Sequence, residues 1–267
     1  MLIVLSYMDL KDTAVLGAIA GFTIYLGLPI ARLENPHRAW KAFANATAAG
    51  ILIFLLWDIL SKVHEPIATA MEVAKTGVAG ELMGLLALFV GGFGLGLIGL
   101  VYVDRVFIRG GKVGAEARPI QLALMIAAGI GVHNFAEGLA IGQASREGAL
   151  QLATLLIVGF GLHNMTEGFG IAAPLTGGTR PSWGFLGLAG LIGGGPTFVG
   201  TVLGYSVQSP FVFAACLALA AGSILYVIME LLHVGRRFQL PELAVWGIFA
   251  GFCTGYATDL LLTWGGG

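Results

Sequence analysis

The chain has 267 residues, of which 57% are hydrophobic and 11% charged, and its mean hydropathy is +0.88. A soluble domain carries about 25% charged residues, so these figures exclude a water-soluble fold and indicate an integral membrane protein. The formal net charge of −1 offers no electrostatic footprint for nucleic acid.

A bilayer core of about 30 Å takes about 20 helical residues. In chain order, eight apolar runs reach that length, at 13–31, 39–60, 81–103, 118–144, 148–173, 183–207, 211–233 and 243–263. The first twelve residues lack a basic segment followed by a short apolar stretch and a cleavage site, so no removable signal peptide is expected. The runs are continuous rather than alternating and longer than barrel strands, which makes the fold class all-α: one transmembrane domain over residues 1–267. Stretches rich in Pro, Gly or charge mark the connections, at Arg32 to Arg38, Lys62 to Lys75, Asp104 to Arg118, Gly177 to Pro181 and Arg236 to Glu242. Forty-two glycines predict closely approaching helices. Cys216 and Cys253 sit in apolar stretches without CxxC spacing, so small core residues are expected there. Trp57, Trp183, Trp246 and Trp264 fall mainly near run ends, as an interfacial aromatic belt would.

Lys and Arg in short loops set orientation. The connections after the first, third, fifth and seventh runs hold Arg32, Arg38, Lys41, Arg105, Arg109, Lys112, Arg118, Arg180, Arg236 and Arg237. The chain ends and the remaining connections hold only Lys11, Lys62, Lys75 and Arg146. Both termini are therefore expected outside, with the fourth run pointing outward and the fifth inward.

Those two runs carry the chemistry. His133-Asn134-Phe135-Ala136-Glu137-Gly138 is echoed thirty residues on by His163-Asn164-Met165-Thr166-Glu167-Gly168. Each copy lies near mid-membrane, where an ionisable group costs roughly 2.5 to 3.5 kcal/mol even on insertion scales. A divalent cation is the simplest offset, because imidazole and carboxylate are metal ligands and two carboxylates neutralise its charge. Residues four apart share a helix face, so His133 with Glu137, and His163 with Glu167, are expected to converge from adjacent antiparallel helices. Asn134 and Asn164 lie about 100° round, edging the site or serving a second ion. Gly138 and Gly168 would remove bulk where the ion passes. A lone intramembrane His or Asn often only bonds a neighbouring helix, but two matched pairs at matched depth exceed what packing needs. HExxH spacing is absent, so a soluble zinc-protease helix is no guide.

At these residues the sequence resembles the ZIP family of divalent-metal transporters, whose members carry HNxPEG on the fourth helix and a similar polar set on the fifth. The likeness extends to Ala220-Ala221-Gly222-Ser223, Tyr226-Val227 and Glu230-Leu231 in the seventh run. It implies eight helices with termini outside and a cell-membrane location. It further implies a metal site of His133, Asn134 and Glu137 with His163, Asn164 and Glu167, metal moving toward the cytoplasm, dimers, and elevator-like motion of one bundle against another. The chain departs from that pattern at Ala136 and Thr166, which replace the signature prolines. Gly195 stands before Pro196 where a Glu is common, which puts a two-metal site in doubt. The connection after the third run is short and has no His.

Nitrogen and oxygen donors without thiolate suit Zn(II), Fe(II), Mn(II) or Co(II) and disfavour Cu(I), and the all-oxygen set of Ca or Mg is missing. Family likeness makes zinc the first choice, as bound substrate rather than catalytic cofactor. Asp58 and His64, with Glu65, are candidate collectors of cations at the outer mouth, and Glu230 with His233 a candidate exit station, unless Arg236 or Arg237 pairs with Glu230. Two other classes use the same residues: a membrane-embedded metalloenzyme with Glu137 or Glu167 as general base, and a haem carrier ligated by His133 and His163. The second gives the paired Glu and Asn no role.

Overall fold

In a computed structural model of the chain, the described residues are 8–33, 37–103, 105–106, 118–146, 150–176, 180–207 and 209–265. The basic stretch after the third run, with Arg109 and Lys112, lies outside them. Among the described residues the regular structure is helical, with no strand: α1 (Leu10–Phe22), α2 (Ile24–Gly27), a 3-10 turn (Leu28–Arg32), α3 (Arg38–Ala74), α4 (Gly80–Val103), α5 (Arg118–Arg146), α6 (Leu150–Ala172), a second 3-10 turn (Ala173–Leu175), α7 (Trp183–Ser206), α8 (Pro210–Arg236) and α9 (Pro241–Gly265). Among the described residues, six stretches are long and apolar enough to cross a membrane: Leu10–Arg32, Arg38–Ala74, Gly80–Val103, Pro119–Arg146, Trp183–Ser206 and Pro210–Arg236.

Local chemistry sets the helix starts. Asp9, Ser182 and Ser209 each accept a hydrogen bond from the backbone N–H three residues on, at 2.8, 3.1 and 3.4 Å, satisfying donors that the first turn leaves over. The first apolar run is not one helix. It breaks at Thr23, whose hydroxyl donates to the Ala20 carbonyl at 2.7 Å, and it tightens to 3-10 geometry at Pro29, which has no N–H to continue an α-helix.

The second run corrects the sequence reading most. The stretch Lys62 to Lys75, read as a connection, is helical, so α3 has 37 residues and is about 55 Å long, well beyond the hydrocarbon thickness. Its C-terminal half is amphipathic. Ile59, Val63 and Ala70 are at most 3% exposed, and Ala70 packs with Leu85 of α4 and Ala214 of α8, while His64, Glu65 and Glu72 face outward. The chain turns back at Gly77, whose φ of +98° favours glycine. The expectation of two core cysteines also fails in part: Cys216 is half-buried, but Cys253 is exposed on the apolar face of α9.

Glycines bring several pairs of helices into backbone contact, three of them parallel. On α5, a Cβ at Gly138 or Gly142 would meet the carbonyl oxygens of Thr197 or Thr201, and on α7 one at Gly200 or Gly204 would meet those of Phe135 or Leu139. The α4–α8 and α3–α9 pairs are built in the same way, around Gly96 with Gly222 and around Gly247 with Gly251. In each pair the residue numbers rise together, so the partners are parallel. By their contacts the helices fall into two bundles, α1, α2, α5, α6 and α7 in one and α3, α4, α8 and α9 in the other, meeting mainly where α5 packs on α8 and where α6 faces α3 and α9.

Candidate metal centre

Both six-residue signatures fall inside unbroken helix, α5 and α6. Without the prolines there is nothing to force a kink, and the Thr166 hydroxyl instead donates to the His163 carbonyl at 2.7 Å. All six polar side chains are buried: His133 2%, Asn134 0%, Glu137 6%, His163 7%, Asn164 0% and Glu167 2% exposed.

Three of the acid and imidazole groups meet. His133 Nε2 lies 3.0 Å from Glu137 Oε1, one turn along α5, and 3.9 Å from Glu167 Oε1 across the α5–α6 contact. The first pair is close without being aligned as a hydrogen bond, since Nε2 has no hydrogen-bond partner. Tetrahedral zinc with bonds of 2.0–2.1 Å separates its ligands by about 3.3 Å, and the two distances bracket that spacing. His163 stands apart. Its ring stacks on Phe54 of α3 with centroids 6.4 Å apart and planes at 20°, and its Nε2 makes no hydrogen bond. Among the described residues, no three His, Cys, Asp or Glu side chains form a ready-made cation cage; the groups are gathered but not closed round a point.

The asparagines hold this arrangement rather than merely edging it. Asn134 Nδ2 donates to Glu167 Oε2 and to the Gly193 carbonyl of α7, both at 2.9 Å. Asn164 Nδ2 donates to the Ala20 carbonyl at 2.9 Å, beside the break in the first run. With both amide nitrogens committed, the amide oxygens are left over. The buried atoms lacking a partner here include Asn134 Oδ1, Glu137 Oε2, Glu167 Oε1, Asn164 Oδ1, His163 Nε2 and both ring nitrogens of His133, one of which carries a proton in the neutral ring. The others can each offer a lone pair. An unpaired buried polar atom costs about 1–3 kcal/mol, and several are concentrated here.

Gly138 and Gly168 do not open an ion passage, as the sequence suggested. A Cβ at Gly138 would strike the Thr197 carbonyl, and one at Gly168 the Ile24 carbonyl and Gly27; both are there for helix contact. Asp58 pairs with Lys62 at 2.6 Å rather than with His64, which is exposed. At the other end His233 is exposed and lies 3.2 Å from Arg237, so this arginine faces His233. Sequence reasoning missed the carbonyls of Gly193 and Ala20 and the Phe54 ring, because a backbone acceptor or an aromatic three helices away leaves no spacing to read.

A family model described as the ZIP zinc transporter matches residues 110–257, a span that takes in both signatures. Zinc transporter ZupT of Shigella flexneri serotype 5b (strain 8401) is 30% identical over 94% of this chain and 97% of its own length. The ZupT proteins of Escherichia coli O7:K1 (strain IAI39 / ExPEC) and Escherichia coli (strain K12 / DH10B) match at the same identity and coverage. The chain belongs to the ZIP family. It is accordingly a multi-pass membrane transporter of divalent metal and not an enzyme. Against the ZIP pattern, the Gly195 position does not face His133 and its neighbours: it lines an apolar groove with Phe22, Phe135, Leu191 and Phe198. On α7 it is the Gly193 carbonyl that accepts the hydrogen bond from Asn134.

Proposed function

We propose that this ZIP protein carries divalent transition-metal ions, zinc foremost, toward the cytoplasm by alternating access, binding them through His133, Asn134, Glu137, His163, Asn164 and Glu167. The observation that carries the reading is the convergence of unpartnered, buried lone-pair donors from α5 and α6. A metal ion loses water on entering and gains imidazole nitrogen and carboxylate oxygen, while Glu137 and Glu167 balance its two charges. Fe(II), Mn(II) and Co(II) fit the same donors; the zinc transporter ZupT relatives put zinc first.

The topology that serves this function has eight membrane crossings with both ends outside. α1 and α2 make the first crossing, and α6 and α9, of 23 and 25 residues, supply the two beyond the six noted above. The parallel pairing of α3 with α9, α4 with α8 and α5 with α7 is what alternate crossings require. The metal groups ride on one bundle, and Phe54 of the other caps His163, so sliding one bundle against the other uncovers the site to one side at a time. The working unit is a homodimer in the cell membrane.

Uptake of labelled zinc, iron and manganese into proteoliposomes tests this with wild type, Glu137→Ala and Glu167→Ala. Both variants are expected to lose at least ten-fold in uptake at low metal. Equal transport by all three proteins refutes the site.

A further inference from the structure

The α3–α9 pair carries a charged cluster that the metal centre does not use. Gly247 and Gly251 of α9 lie against Phe43 and Thr47 of α3, and Gly255 against Phe54. One more turn along these parallel helices brings Asp58 and Asp259 to one level. Trp57 and Tyr256, ring centroids 6.4 Å apart, confirm the register just below. Lys62 Nζ donates to Asp58 Oδ2 at 2.6 Å, and Asp259 interacts electrostatically with both groups. The Asp58 side chain is 17% exposed and that of Lys62 43%, so the carboxylate is partly sheltered while the ammonium reaches the surface.

The position matters because of what lies beneath. Phe54, one turn before Asp58 on the same face of α3, stacks on His163, so the cluster sits about 6 Å along the axis beyond the ring that caps the metal groups. The Lys62 ammonium acts electrostatically on both His133 and His163. The positive charge of Lys62 opposes every divalent ion that approaches, in proportion to the ion's charge, and Asp58 and Asp259 beside it partly mask it.

We propose that Lys62 sets the affinity threshold of the metal pathway, a tethered cation, masked by Asp58, that opposes divalent ions at the outer approach to His163. This rests on the metal-site reading above. The opposition is equal for all divalent ions, so it leaves their affinity ratios unchanged and drops weakly bound ions below useful occupancy.

The test is the KM for zinc and manganese uptake into proteoliposomes at low ionic strength, for wild type, Lys62→Gln, Lys62→Met, Lys62→Arg, Asp58→Asn and the Asp58→Asn/Lys62→Gln double variant. Removing the charge is expected to lower KM by about 3- to 10-fold for both metals, an advantage that shrinks in ~0.5 M salt. Lys62→Arg should behave as wild type. Asp58→Asn should raise KM, and the double variant, which removes one charge of each sign, should return close to wild type. A merely structural ion pair predicts instead that both single variants change in the same direction. Unchanged or raised KM in Lys62→Gln and Lys62→Met overturns the proposal, and that comparison decides even if Asp58→Asn fails to fold. Glu167→Gln, run alongside, separates the two readings: if it transports normally the metal site itself is wrong, whereas if it fails while Lys62→Gln matches wild type, only the role of Lys62 is lost.

Discussion

Replacing Asn134 by alanine removes two hydrogen bonds and leaves the helices otherwise able to pack, since the side chain is fully buried and shrinks. The bond to Glu167 Oε2, 2.9 Å long, is to a carboxylate and is worth about 1.5–3 kcal/mol. The bond to the Gly193 carbonyl, also 2.9 Å, is neutral and is worth about 0.5–1.5 kcal/mol. Only the first reaches a proposed metal donor, by holding Glu167 Oε2 and so leaving Oε1 toward His133. A loss of about 2 kcal/mol in metal binding corresponds to roughly thirty-fold, within the 10- to 100-fold that orienting partners of metal ligands usually carry. The assay is zinc titration of purified protein against a competing chelator, with a thermal melt of the metal-free protein as a folding control. A variant that melts within a few degrees of wild type yet binds zinc within two-fold of it would refute the reasoning. Asn134→Asp, which keeps size but cannot donate twice, should do no better than alanine.

Other perturbations probe the scaffold and the chemistry separately. Gly200→Ala places a Cβ against the Phe135 carbonyl and should destabilise the α5–α7 contact by about 1–3 kcal/mol, read as a lowered melting temperature; no change would mean that the helices are not in backbone contact. Metal binding needs neutral imidazole and ionised carboxylate, so protons compete; zinc KM should rise as external pH falls, and a KM constant from pH 7.5 to 5.5 would argue against His and Glu donors. A cysteine at Glu65, on the exposed face of α3, should react with a membrane-impermeant maleimide added to intact cells, while one at Arg237 should not. The reverse pattern would invert the topology.

Much of this architecture can be read from the sequence, and the failures have physical causes. Apolar runs locate the helices because lipid forces every backbone group into internal hydrogen bonds, and the ends of α4, α7 and α9 fall within two residues of the runs at 81–103, 183–207 and 243–263. The extension of α3 escapes that logic. Its C-terminal half is charged on one face and packs Val63 and Ala70 on the other, so mean apolarity drops while helical periodicity persists. At the signatures, i, i+4 spacing places His133 beside Glu137, and antiparallel neighbours bring Glu167 to them. What spacing could not supply is the partner of each amide: Gly193 and Ala20 contribute carbonyls from distant helices. Gly138 and Gly168 were misread for the same reason, because only the neighbouring backbone tells whether a missing side chain makes room for an ion or for a helix.

The assignment of these side chains to metal is tested most directly by locating the ion. Zinc-edge anomalous diffraction from crystals grown with zinc should place a peak between α5 and α6, about 2.0–2.2 Å from His133 Nε2 and Glu167 Oε1, and the peak should vanish in Glu167→Ala. A strong zinc peak elsewhere in the membrane region, with these donors still turned to one another, would contradict it.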